Sequence, residues 1–204
     1  MKDEVKLPKP ATIGTISVEE ALQKRTSVRE YTDEPLTLNQ VSQLLWATQG
    51  VNRPERDDRT TPSAGGTYPL EVYVVVSEDG VTGLAPGAYR YIPLRHSITP
   101  VSLGDHIPAL SVAAFDQEWA AEAEINIVIA AVFNRTTRRY GERGTQYVYM
   151  EAGHAAQNIY LQAAALGLGT VMIGGFNDEL VQRVIGLPEE QKPLYIAPVG
   201  YPRS

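Results

Sequence analysis

A chain of 204 residues, 43% of them hydrophobic, has room for one packed domain. With 18 basic and 24 acidic residues its formal charge is -6, which excludes non-specific nucleic-acid binding as the main activity. The lack of cysteine excludes disulfides, thiolate catalysis and cysteine-ligated metals.

In chain order, residues 1–16 read as an extended N-terminal arm and residues 17–204 as a single domain. The first ten residues, MKDEVKLPKP, lack the apolar core of a signal peptide, so a cytoplasmic location is expected. Ser17 with Glu20 and Thr37 with Gln40 have capping-box spacing, which predicts helices over residues 17–24 and 38–49, the second stopped by Gly50. Residues 52–66 are polar and rich in breakers, a long loop of the kind that carries function or moves. Residues 70–76 read as a strand, with a hairpin or meander over 88–92 and 98–101. Residues 105–124 read as helical with a break near Pro108, residues 125–133 as a buried strand and residues 134–144 as a second, basic loop. Asn177 opens a short helix to Ile185, and residues 194–199 form a last strand. Strands and helices mix without strict βαβ alternation, so the fold class is α+β, with helices flanking a mostly antiparallel sheet.

Residues 150–176 organise the chain. No charged residue occurs between Ala152 and Asn177, and small or apolar residues recur at Ala152, Ala155, Ala156, Ile159, Ala163 and Leu166. This predicts a helix buried on several sides, then a strand over 170–173 closed by Gly174 and Gly175. His154, Gln157, Asn158 and Gln162 interrupt the run, so it does not make a membrane span. Gly167 and Gly169 follow a helix and precede a strand, the reverse of the dinucleotide fingerprint. Gly175 and Phe176 stand where a phosphate loop requires Lys and Ser or Thr.

Among residues that could carry chemistry, Arg25, Ser27 and Arg29 read either as a phosphate clamp or as ordinary basic residues at a helix C-terminus. Residues 61–69, TPSAGGTYP, read as a turn feeding the next strand or as a backbone that lets a flat ligand approach. His96, His106 and His154 show no metal spacing, and His154 reads as a packed or hydrogen-bonded side chain. Ser63 is not in a nucleophile elbow, and no acid/base pair stands out.

Taken together, RTSVREY at 25–31, PSAGGTYP at 62–69, RRYGERG at 138–144, the glycine-flanked helix at 153–169, IGGF at 173–176 and GYPR at 200–203 resemble the FMN-dependent nitroreductase family. They resemble most the branch that includes thiazole- and oxazole-forming peptide oxidases. The resemblance implies an α+β sandwich that forms a homodimer through long central helices, with FMN at the subunit interface. It implies that Arg25, Ser27 and Arg29 hold the FMN phosphate and pyrimidine edge, with Arg203 as a further basic contact. Ser63, Ala64 and Gly65 are expected to reach the flavin from the partner subunit. Ile173, Gly174 and Gly175 are expected along the ring, with a backbone N–H near Gly174 directed at flavin N5. Because FMN performs the redox chemistry, no acid/base dyad is needed.

The expected reaction is ping-pong transfer of hydride from NAD(P)H to a small acceptor such as a nitroaromatic or quinone, with no nucleic-acid or membrane partner. Alternatives are dehydrogenation of thiazoline or oxazoline rings in a modified peptide, or flavin binding without turnover. Against the peptide reading, Arg139–Tyr140 stands where that branch has Lys–Tyr, and arginine is a poor base; Tyr140 remains a catalytic candidate. The additional N-terminal region of many such oxidases is also missing from this sequence.

Overall fold

The structure of the protein, a computed structural model, describes residues 4–203. Seven strands form one antiparallel sheet in the order β1-β6-β5-β4-β7-β9-β8. These are β1 (Val5–Lys6), β4 (Leu70–Val76), β5 (Gly87–Ile92), β6 (Ser97–Leu103), β7 (Ile125–Ala131), β8 (Gly169–Thr170) and β9 (Lys192–Gly200). β4 and β7 are buried at every position because both of their faces are covered by helices. On one face lie α2 (Leu38–Gln49) and the 23-residue α6 (Arg143–Ala165), packed over Val72, Val74, Ile127 and Ile129. On the other, α3 (Ile107–Ala113), α4 (Glu118–Glu122) and α7 (Asp178–Ile185) cover Tyr73, Val75, Val128 and Ile196.

The expected helix starts are present. Ser17 accepts the Glu20 N–H at the head of α1 (Val18–Lys24), and Thr37 and Gln40 form a reciprocal capping box on α2. Asn177 accepts the Leu180 N–H at the head of α7, with Asp178 and Glu179 in the first turn.

Several segments differ from the sequence reading. The arm is extended, but its Val5–Lys6 pairs with Ile98 and Ser97, and Leu7 is buried, so the arm joins the sheet; its first three residues lie outside the described residues. The 52–66 loop contains a small ribbon, β2 (Val51–Arg53) with β3 (Asp58–Arg59), and a tight turn at Ala64–Gly66. Pro108 sits in the first turn of α3, where its missing N–H costs no helical bond. The break comes at Phe115 and Asp116, both with positive φ. Residues 134–144 are not a loop. They hold α5 (Asn134–Tyr140), which ends at Gly141 and packs against α6 because Gly144 has no side chain; a Cβ there would lie 2.9 Å from the Thr137 Cα.

One glycine fixes the edge of the sheet that matters most below. A Cβ at Gly169 would fall 2.7 Å from Val28, so only glycine lets residues 25–31 lie against β8. Gly169→Val is expected to destabilise the fold by about 1–3 kcal/mol through overpacking, read as a lower denaturant midpoint at unchanged m-value.

Candidate functional site

The segment after α1 runs extended along the sheet edge. Ser27 bridges Thr170, the Val28 N–H reaches the Thr170 carbonyl at 3.0 Å, and Tyr31 bridges Pro202. The C-terminal tail lies beside it, with the Arg203 N–H on the Glu30 carbonyl at 3.0 Å and its guanidinium on the Tyr31 carbonyl at 2.6 Å. Arg29 stacks over Trp119, and Arg25 over the Tyr160 ring at 5.2 Å. The Tyr160 hydroxyl lies 3.2 Å from Ser27 Oγ and accepts the Met172 N–H at 3.0 Å. Tyr160 therefore joins the basic segment to the backbone that leads into Gly174 and Gly175; the strand expected over 170–173 is shorter, ending at Thr170, with Ile173 making a single bridge to Ile196. Here a cavity of 230 Å³ is lined by Lys24, Arg25, Thr26, Tyr160, Gly167 and Thr170, among others. Among the described residues neither Arg25 nor Arg29 is paired with a carboxylate.

Ile173 is buried, and its N–H and carbonyl both bond to Ile196, at 2.8 and 3.0 Å. Its backbone donor and acceptor are thus both committed to β9, and the next backbone donor, that of Gly174, makes no hydrogen bond among the described residues. Gly174 and Gly175 are exposed, and a Cβ on Gly175 would meet nothing within 4 Å. Tyr160 ties Ser27 to Met172, two residues before the open Gly174–Gly175 pair, and lies under the carboxylate-free Arg25; a guanidinium, a hydroxyl and a bare backbone are the donor types that suit the phosphate and flat ring of FMN.

A second group of residues lies at the other end of α6. Gly65 and Gly66 both have positive φ (60° and 65°), and a Cβ on Gly65 would sit 2.4 Å from the Tyr140 hydroxyl and 2.7 Å from Arg139 Nη1. Arg139 donates to the Gly65 carbonyl at 3.0 Å. Helix α5 thus delivers Arg139 and Tyr140 to the turn that holds Ser63, Ala64 and Gly65. Ser63 points inward, donating to Glu151 Oε2 at 2.6 Å and accepting the Tyr68 N–H at 2.9 Å. A cleft of 550 Å³ opens on this turn, lined by Arg53, Arg56, Arg59, Ser63, Gly65 and Tyr68, among others.

Glu151 is only 2% exposed, and burial pushes its carboxyl up to about 7, against the opposing pull of Ser63, the Arg59 charge and Gln49. Arg59 donates to Gln49 at 3.0 Å and stacks over Tyr68 at 4.4 Å; burial lowers its pKa as well. Arg90 and Arg135, by contrast, share the buried Glu71 carboxylate, one on each oxygen. His154, expected to be packed or hydrogen-bonded, is exposed on the outer face of α6. Among the described residues no His, Asp and Glu cluster could hold a metal, and no helix is long and apolar enough to cross a membrane.

Sequence reasoning missed Glu151, Tyr160 and Arg59. Glu151 had a signal: it lies three residues after Val148 and four before Ala155, on the buried stripe of α6. Tyr160 had only its phenol in an otherwise small-residue helix, and Arg59 had none.

The two groups of residues are separate in one chain. They attach to α6 at Glu151 and Tyr160, nine residues or about 13 Å apart along the axis, and they line different cavities. The nitroreductase family profile matches residues 22–201, nearly the whole chain. The chain belongs to the nitroreductase family. This nitroreductase is 48% identical over 197 residues to MJ1384 of Methanocaldococcus jannaschii, a protein named for a nitroreductase, covering 97% of this chain and 96% of that one. It is 26% identical over 157 residues to the microcin B17-processing protein McbC of Escherichia coli, covering 76% of this chain and 58% of McbC. Its structure superposes on a crystal structure named for a nitroreductase from Ralstonia eutropha JMP134 with a TM-score of 0.84 at 29% identity, covering 98% of this chain and 90% of that one. The nitroreductase is therefore an oxidoreductase, and its family includes peptide-processing relatives.

Two outcomes follow from this geometry. A carboxyl raised from 4.5 to about 7 favours the folded state at low pH, and that contribution is lost as the pH rises between those values. Glu151→Gln, which cannot titrate, is expected to gain on the parent by on the order of 3 kcal/mol across that window, measured by denaturant unfolding at several pH values. Tyr160→Phe strands the Met172 N–H and should cost about 1–3 kcal/mol, read in the same assay.

Proposed function

We propose that the protein is a homodimeric FMN-dependent oxidoreductase that accepts hydride from NAD(P)H and delivers it to a small acceptor such as a nitroaromatic or quinone. The carrying observation is the unpaired Arg25 guanidinium beside Ser27 and the bare Gly174–Gly175 backbone, a phosphate-and-ring cradle joined by Tyr160. When bound, FMN supplies the two-electron chemistry. The chain's residues hold and orient. Arg25 and Ser27 take the phosphate, with Arg29 toward the pyrimidine edge and Arg203 as a further basic contact. Gly174, whose N–H makes no hydrogen bond among the described residues, offers that donor toward flavin N5.

A second copy supplies what one chain lacks. The outer stripe of α6 runs through Met150, Gly153, His154 and Gln157, all exposed, and Leu161 and Ala164, with no charge. Beside it an uncharged hollow of 340 Å³ is lined by Val18, Trp46, Asn158, Leu161 and Ala165, among others. A Cβ on Gly153 would meet nothing within 4 Å, which leaves room for a second helix to approach closely. Two-fold pairing along this stripe carries the Ser63–Gly65 turn of one subunit toward the Arg25 cradle of the other.

A second reading is dehydrogenation of a heterocycle in a modified peptide, which the McbC likeness and the Tyr140 hydroxyl beside Gly65 favour, while Arg139 speaks against it. Anaerobic reduction of the flavin by NADH, NADPH or an azoline peptide, followed by reoxidation with quinone, nitroaromatic or oxygen, separates the readings. Parallel double-reciprocal lines with quinone support the first, and turnover only with the azoline peptide replaces it by the second. Purified protein that stays colourless after incubation with FMN and desalting sinks both. Arg25→Ala should lose a charge-assisted contact and bind FMN at least tenfold more weakly, about 1.5–3 kcal/mol. Co-expressed Arg25→Ala and Gly65→Val chains should regain about a quarter of parental activity by random pairing; no regain removes the shared site.

A further inference from the structure

The buried Glu151 has no place in the cofactor cradle, yet it holds the one hydroxyl of the Ser63–Gly66 turn. Its Oε2 accepts from Ser63, while its Oε1 is buried without a hydrogen-bond partner, as are Gln49 Nε2 and Arg59 Nε. A carboxylate left half-satisfied at 2% exposure is costly, and protonation relieves that cost. Among the described residues the one charged group facing it is Arg59, from β3. Helix α2 brings the neutral Gln49, the turn brings Ser63, and Tyr68 lies over Arg59, with Glu71 and Arg135 beyond.

A serine hydroxyl has one proton to give and two lone pairs to receive. With Glu151 ionised, the Ser63 proton is committed to the carboxylate, and one lone pair takes the Tyr68 N–H. With Glu151 protonated, the carboxyl itself donates to Ser63, whose second lone pair receives it. The Ser63 proton is then free to turn outward into the cleft that Ser63 and Gly65 line.

We propose that Glu151 is a positioning residue whose protonation turns the Ser63 hydroxyl from the carboxylate to the bound cofactor and offsets the negative charge that arrives there with a hydride. The inference rests on the FMN reading above. The balance is complete: the nicotinamide gives up a hydride, two electrons with one proton, and becomes NAD(P)+, while one proton from solvent adds to the Glu151 carboxylate. The site then gains no net charge on reduction. Burial has already brought Glu151 to about 7, so a modest change in charge nearby is enough to move its proton.

The test has one readout without flavin and one with it. In flavin-free, nitrogen-15-labelled protein, the Tyr68 amide should titrate with a midpoint near neutrality. That titration should vanish in Glu151→Gln and, through a different residue, in Ser63→Ala. A Tyr68 amide that titrates unchanged in either variant overturns the coupling. In the FMN-loaded protein, the pH slope of the midpoint potential just above neutrality should be steeper in the parent than in Glu151→Gln. One extra proton per two electrons is a tenfold change per pH unit, or about 30 mV. Equal slopes overturn the proposed proton uptake. Protein that retains no FMN overturns the functional reading, while the amide titration still shows whether Glu151 governs Ser63, so the two failures are told apart.

Discussion

Helix α6 is sealed on one side and bare on the other, and the remaining elements are placed by that asymmetry. Its inner stripe of Val148, Ala152, Ala155, Ala156, Ile159 and Ala163 is small enough to lie close over the sheet and against α2. Close burial leaves little room for polar groups, and those that face inward are tied down: Asn158 bonds the Ala47 carbonyl and Thr61, and two others hold the site. Glu151 holds the Ser63 turn near one end; Tyr160 holds Ser27 and Met172 near the other. The helix acts as a rigid ruler that sets both halves of the candidate site. A residue change that tilts α6 moves both halves at once.

Charge is distributed with the same economy. Glu71 absorbs Arg90 and Arg135, and a backbone carbonyl holds Arg139. Arg203 is bound to the Tyr31 carbonyl and lies 3.9 Å from Glu122. Arg25 is held only through the face of Tyr160, which leaves its donor fork unspent. On the proposed function, this unspent donor fork is what receives the anionic group. This distinction is invisible in composition, where all these arginines look alike.

What was legible in the sequence was local. Ser17, Thr37 and Asn177 announce their helices because a cap is a contact between residues three apart. The β-branched run at 70–76 and the small-residue spacing after Ala152 announce burial in the same way. What escaped depends on distant partners. Residues 134–140 carry no cap signal, and their helix is stabilised by packing on α6 through Gly144. The ribbon at β2 and β3 is a pairing of two short segments, not a propensity. Of the site, the resemblance named Arg25, Ser27 and the glycine pair, and the structure ties Ser27 and the Met172 N–H before the glycines to one phenol. Glu151 escaped because its partners, Ser63 and Arg59, lie 88 residues or more away in the chain and give no local pattern.

The exchange of lysine for arginine at 139 bears on which chemistry the turn can support. Removing a proton from carbon requires a group that can be neutral at working pH, and an arginine stays protonated. Here its guanidinium is also committed to the Gly65 carbonyl, with the Tyr140 hydroxyl beside it. The turn therefore presents a fixed cation and a hydroxyl donor, an arrangement that steadies oxygen-borne negative charge rather than one that creates a carbanion. Transfer of a hydride to a nitro group or quinone places negative charge on oxygen. On the proposed function, arginine at this position is a gain for acceptor reduction and a loss for ring dehydrogenation, and Tyr140 alone would have to supply the base for the latter.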